Sequence, residues 1–222
     1  MTLDLSFIRS GRAARNTAVA CLVGTLAAGA GCTSNMGGTG TSYLIIDSIK
    51  AASGAKATEM SGTLASDVIT YVRVNDGLVA TVFADPAQVN FSLALKDPGG
   101  ADNPTVPSST NFITVDRYHV QFIRADGRDK QGVDVPYAFD GAFTATVGAS
   151  GGAGAFTLVR DQAKLEAPLM TLRGTSGAPF GGGAVSISTI AKITFYGHDQ
   201  AGHDVTATGQ ISVDFADWGD PS

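Results

Sequence analysis

Glutamate, cysteine and tryptophan are scarce in this chain, and neither a long helix nor an excess of positive charge is present. The 222 residues contain two glutamates (Glu59, Glu166), two cysteines (Cys21, Cys32) and one tryptophan (Trp218). With only two glutamates the chain makes little use of the better acidic helix former. A paired-carboxylate glycosidase would have to use aspartates, and no spacing marks such a pair. Fifteen Lys+Arg against twenty Asp+Glu give a net charge of −5, which excludes a basic nucleic-acid binder and a polybasic membrane-surface protein. No Gly-x-Ser-x-Gly elbow, Walker loop or strand-borne Gly-x-Gly-x-x-Gly occurs. Ser150-Gly151 and Ser176-Gly177 lie in low-complexity stretches, and Gly181-Gly182-Gly183 reads as a loop before a strand.

Glycine, aspartate and the β-branched residues are abundant. There are 28 glycines against eight prolines, and the acids are nearly all aspartate, which favours turns over helices. With 44% hydrophobic residues the chain is not disordered, and its length suffices to bury a sizeable core. Together these point to a mainly β protein.

Residues 1–17 carry Arg9, Arg12 and Arg15, and Ala18 to Ala30 form an uncharged apolar run of 13 residues. That order matches a signal peptide, and the run is too short to span a bilayer as a helix. Ala30-Gly31-Cys32, preceded by Leu26-Ala27-Ala28-Gly29, resembles the end of a bacterial lipoprotein leader. The resemblance implies lipidation at Cys32, with residues 1–31 removed. Thr33 rather than aspartate after the cysteine implies passage to the outer membrane. Cleavage after Ala28-Gly29-Ala30 with plain secretion is the alternative, and it would leave Cys32 as a lone thiol in an oxidising compartment. Removing the leader takes away three arginines and Asp4, so the mature chain has a net charge of −7. Residues 32–42 then comprise the anchor and a Gly/Ser/Thr-rich tether, with a reach of roughly 17 Å.

Residues 43–222 read as one elaborated β domain. Strands are expected at Tyr43 to Ile49, Asp67 to Val74, Leu78 to Ala84 and Asn90 to Leu95, with Asn75-Asp76-Gly77 as a hairpin turn. A long loop should run from Asp97 to Thr110. In the next strand Tyr118, Val120 and Phe122 should face inward and Arg117, His119 and Gln121 outward. Tyr137, Phe139, Phe143 and Val147 should share a buried face. Residues 148–154 read as a loop, 155–159 as a short apolar strand, and 160–167 as a turn or two of helix ended by Pro168. The clearest alternation places Val185, Ile187, Thr189, Ala191, Ile193 and Phe195, then Val205, Ala207, Gly209, Ile211, Val213 and Phe215, on buried faces. With no crossover helices, an antiparallel β-sandwich of about 7–9 strands follows. The closing hairpin, AKITFYGHDQAGHDVTATGQISVDF, resembles that of bacterial immunoglobulin-like and fibronectin type III-like modules. The resemblance implies the same sandwich and brings no catalytic residue with it.

Few side chains suggest chemistry. His198, Asp199, His203 and Asp204 flank a turn and are weak metal candidates that lack a clear third ligand, so an ordinary polar turn is the expected reading. Asp126, Asp129 and Asp134, or Asp214, Asp217 and Asp220, are weak calcium candidates that match no known loop. Trp218 is expected to pack at the sandwich end, and stacking on a sugar is its other use. No catalytic or cofactor residue is expected. The reading favoured is a non-enzymatic, lipid-anchored envelope protein that binds protein or polysaccharide through loops such as 97–110 and 126–134 and does not bind nucleic acid. The alternatives are a secreted or periplasmic carbohydrate-binding accessory, an Asp- or metal-dependent hydrolase, and a subunit of an assembly that shares an edge strand.

Overall fold

Two-residue alternation dominates the sequence, and the backbone follows it. The computed structural model describes residues 40–174 and 186–218. The expected leader, Cys32, tether residues 33–39, Ser176, Gly177, residues 181–183, Val185 and Asp220 lie outside the described residues. Strand accounts for 60% of the described residues and helix for 9%, so the protein is mainly β.

The strands are β1 (Ser42–Ala51), β2 (Thr63–Asp67), β3 (Thr70–Val74), β4 (Gly77–Thr81), β5 (Asp85–Leu95), β6 (Gly99–Gly100), β7 (Asn103–Pro104), β8 (Ile113–Ile123), β9 (Phe139–Val147), β10 (Gly152–Val159), β11 (Ser186–Asp199) and β12 (Asp204–Ala216). Eight of them form two sheets, one ordered β1-β5-β10 and the other β2-β12-β11-β8-β9. The pairs β3-β4 and β6-β7 are separate ladders. Among the described residues one α-helix, α1 (Asp161–Leu165), follows β10 and ends before Pro168, as the sequence implies, and three short 3-10 turns make up the rest of the helix.

The antiparallel expectation needs one correction: β2 pairs parallel with β12, so the larger sheet is mixed. The chain leaves β1 at the edge of one sheet and crosses to the edge of the other, where β2 arrives running alongside β12. Because the two strands are remote in sequence, no crossover helix is needed. β2 carries no clear strand signal, being short and embedded in a Gly/Ala/Ser-rich stretch. The expected strand from Asp67 is likewise broken: Asp67 ends β2, and the hairpin begins at Thr70.

Aromatic side chains from both sheets meet in one core. Phe91 of β5 meets Phe195 of β11 edge-to-face at 5.0 Å between ring centroids, and Phe156 of β10 meets Phe195 at 5.4 Å. Tyr118 and Phe143 complete the cluster, and Tyr118 donates its hydroxyl to the Thr157 carbonyl at 3.1 Å. Such edge-to-face pairs add about 0.5–1.5 kcal/mol each beyond area burial. The inward positions expected on β8, β11 and β12 are buried at Val120, Phe122, Ile193, Ile211, Val213 and Phe215. Tyr137 departs from expectation: it precedes β9 and is exposed, whereas Phe139, Phe143 and Val147 are buried. Two glycines make room for the aromatic rings. A Cβ on Gly141 would overlap the Tyr118 ring, and one on Gly154 would overlap the Phe143 ring. Part of the expected 148–154 loop is therefore the start of β10, where missing side chains make room for aromatics.

One ion pair lies inside this apolar environment. Asp85 at the start of β5 and Lys164 of α1 are 0% and 1% exposed, with Nζ 2.7 Å from Oδ1. The Ser66 hydroxyl donates to Asp85 Oδ2 at 2.6 Å and the Gly54 N–H to Oδ1 at 2.8 Å. Burial pushes the Asp85 carboxyl above its ordinary range against the opposing pull of Lys164. Removing one partner leaves a bare buried charge, so Lys164→Met should cost about 3–5 kcal/mol in denaturant unfolding. Adding Asp85→Asn to that variant should recover most of the loss. Equal stability of the single and double variants would show that the pair is not coupled.

Candidate functional site: a groove walled by the C-terminal tryptophan

The buried ion pair fixes β2 from one side, and the other side of the same strand lines a groove. Ser66 and Asp67 are adjacent and, on an extended strand, point to opposite faces. Asp67 is buried and fully engaged: Oδ2 accepts from Thr70 Oγ1 at 2.5 Å, and Oδ1 accepts from the backbone N–H of Trp218 at 3.1 Å and of Ile69 at 3.4 Å. Burial raises its carboxyl pKa, and these donors pull it back. The contact with Trp218 spans nearly the whole domain and seats the C-terminal segment beside β2.

The groove has a volume of about 360 Å³. Ala51, Ala52, Ala55 and Ala65 leave it roomy, while Ser53, Ser61 and Thr63 line it with hydroxyls. Lys56 and Glu59 stand at its side, and Trp218 forms an aromatic wall. Reciprocal backbone hydrogen bonds between Ala51 and Ser61, both 2.9 Å, close the loop that carries most of these residues. Trp218 is 41% exposed, so it does not close the sandwich end as a core residue. Its indole N–H is directed to the Asp214 carbonyl at 3.4 Å. Of the lining residues only Trp218 was singled out in the sequence. Asp67 reads as the start of a strand, and the serine, threonine and alanine lining forms no motif.

The structure divides the four weak metal candidates. His203 Nδ1 lies 3.0 and 3.2 Å from the two oxygens of Asp199, whose Oδ1 also accepts the backbone N–H groups of Ala201 and His203, both at 2.9 Å. His198 instead faces Asp116 of β8, with Nδ1 3.3 Å from Oδ2. Asp204 sits opposite His198 in the β11–β12 register. Among the described residues no group of three or more His, Cys, Asp or Glu side chains is placed to hold a metal ion.

Of the calcium candidates, Asp126, Asp129, Asp134 and Asp217 are similarly engaged. Arg124 and Arg128 each grip the Asp126 carboxylate through two nitrogens, holding it well below the usual range. Asp129 accepts the Arg124 N–H, Asp134 accepts the Lys130 N–H, and Asp217 accepts the Gly174 N–H. Among the described residues no helix is long and apolar enough to cross a membrane. The chain matches no family model, no curated protein and no solved structure.

The backbone N–H of His203 is the main donor that lowers Asp199, to about 2 from 3.8, with the His203 ring and the Ala201 N–H adding to it. A carboxylate with a depressed folded pKa stabilises the fold above its unfolded value and loses that contribution as pH falls through the folded one. Asp199→Asn should therefore lower Tm at pH 7, with the gap to wild type closing as pH falls from 3.8 towards about 2. A gap independent of pH would assign the effect to packing.

Proposed function

We propose that the chain is a non-enzymatic binding module of the bacterial cell envelope, exported and lipid-anchored at Cys32, that holds a saccharide unit in the Trp218 groove. The observation that carries this reading is a half-exposed indole forming one wall of a hydroxyl-lined cleft. An aromatic face with nearby hydroxyls and carboxylates suits a sugar ring, which offers an apolar C–H face and a polar rim. The volume lies within the range of small-ligand sites. Binding without turnover fits the state of Asp67, whose oxygens are already occupied by Thr70, Ile69 and Trp218. Glu59 is the one other acid lining the groove.

We take the fold to be an immunoglobulin-like sandwich. With β1, β5 and β10 as strands A, B and E, and β12, β11 and β8 as G, F and C, the sheet orders correspond to that arrangement without a D strand. β9 then extends the second sheet beside C. In antibody domains B and F carry a disulfide packed on a tryptophan of C. Here Phe91 and Phe195 occupy facing positions on B and F, with Tyr118 on C beside them.

Titration calorimetry of the full chain against a panel of polysaccharides tests the binding reading. Trp218→Ala should weaken the best binder about tenfold or more with Tm unchanged. Unchanged affinity, or turnover of any glycan, would overturn it. The anchor has its own test: cells fed a fatty-acid probe should label the wild type and not Cys32→Ser. An unlabelled wild type would favour plain secretion.

A further inference from the structure

The β3–β4 hairpin pairs with neither sheet and exposes several apolar side chains. It turns at Asn75-Asp76, with Asn75 at φ 54°, and its register pairs Val74 with Gly77, Val72 with Val79, and Tyr71 with Ala80. Leu78 is 62% exposed, and Val74 and Val79 are each 50% exposed. Among the described residues β4 pairs with β3 alone. In a hairpin with a two-residue turn the closing pair Val74/Gly77 is hydrogen-bonded. By alternation, Leu78 and Ala80 turn their N–H and C=O groups away from β3, which gives β4 an open edge.

Edge strands are usually guarded by lysine, proline or a bulge. Gly77 to Thr81 (GLVAT) has none of these. A lone two-stranded hairpin is marginal in water, and further strands stabilise it.

We infer that β4 pairs antiparallel with β4 of a second copy of this chain, about a two-fold axis at Val79, to make a four-stranded sheet. Three features select a second copy as the occupant. In that register Leu78 of one copy lies opposite Ala80 of the other, so a large side chain meets a small one twice. Their outward N–H and C=O groups satisfy each other in a hydrogen-bonded pair, and Val79 meets Val79 in the closer non-hydrogen-bonded pair. Finally, the hairpin carries one arginine, Arg73, and one aspartate, Asp76, and is neutral on an otherwise acidic chain. Like charges are therefore absent from the contact strand. The isologous contact closes at two copies.

The test uses the full chain with Cys21→Ser and Cys32→Ser. Val79→Cys should yield a covalent two-chain species on mild oxidation, since a central non-hydrogen-bonded pair brings Cα atoms within disulfide range. Asp47→Cys, on β1, should not. Adding Leu78→Lys, or Ala80→Pro (which removes an outward donor and no hydrogen bond to β3), should abolish the species with Tm unchanged. Absence of the species from Val79→Cys, its survival in both double variants, or cross-linking to a different protein would each overturn the inference.

Discussion

A charge with no access to water is tolerated only when its partners surround it, and Asp85 meets that condition by drawing four separate segments to one point. Lys164 comes from the helix after β10, Ser66 from β2, the Gly54 N–H from the loop after β1, and the carboxylate from the head of β5. Such a pair adds little net stability over a well-packed apolar substitute. Its effect is on alternatives, since any packing that separates these segments strands an ion in the core. The loop that bears Ser53 and Ala55 and the strand that bears Asp67 are both tied to this point. The groove therefore inherits its shape from an interaction that does not touch it.

The aromatic layer does different work. It fills the space between the sheets and is indifferent to chain direction, whereas the polar contacts at one end distinguish strands. The mixed pairing of β2 with β12 sits at that end, next to the Val68 N–H bonded to the Ala216 carbonyl at 3.0 Å. The tryptophan wall follows two residues after Ala216, so sheet topology places the indole.

Much of the sheet structure was legible in the sequence because alternation of apolar and polar residues is a local signal. Ile187 to Phe195 and Val205 to Phe215 announce β11 and β12 unaided, and Asn75-Asp76-Gly77 announces a hairpin. The site was mostly illegible for a physical reason. Asp67, Asp85 and Lys164 look like surface residues of polar segments, and their burial depends on partners 79 and 151 positions away. Tyr137 departs in the opposite sense, continuing the β9 alternation one step before the strand's start. Local turn chemistry at Asp199 and Asp126 was foreseeable in kind, and the structure supplies the partners.

The wall of the groove also has a spectroscopic consequence. Trp218 is the only indole in the chain and is partly open to water. Excitation at the red edge of the protein's absorption therefore interrogates this one location. Its emission maximum and its accessibility to iodide or acrylamide report whether the cleft is filled, without an added label.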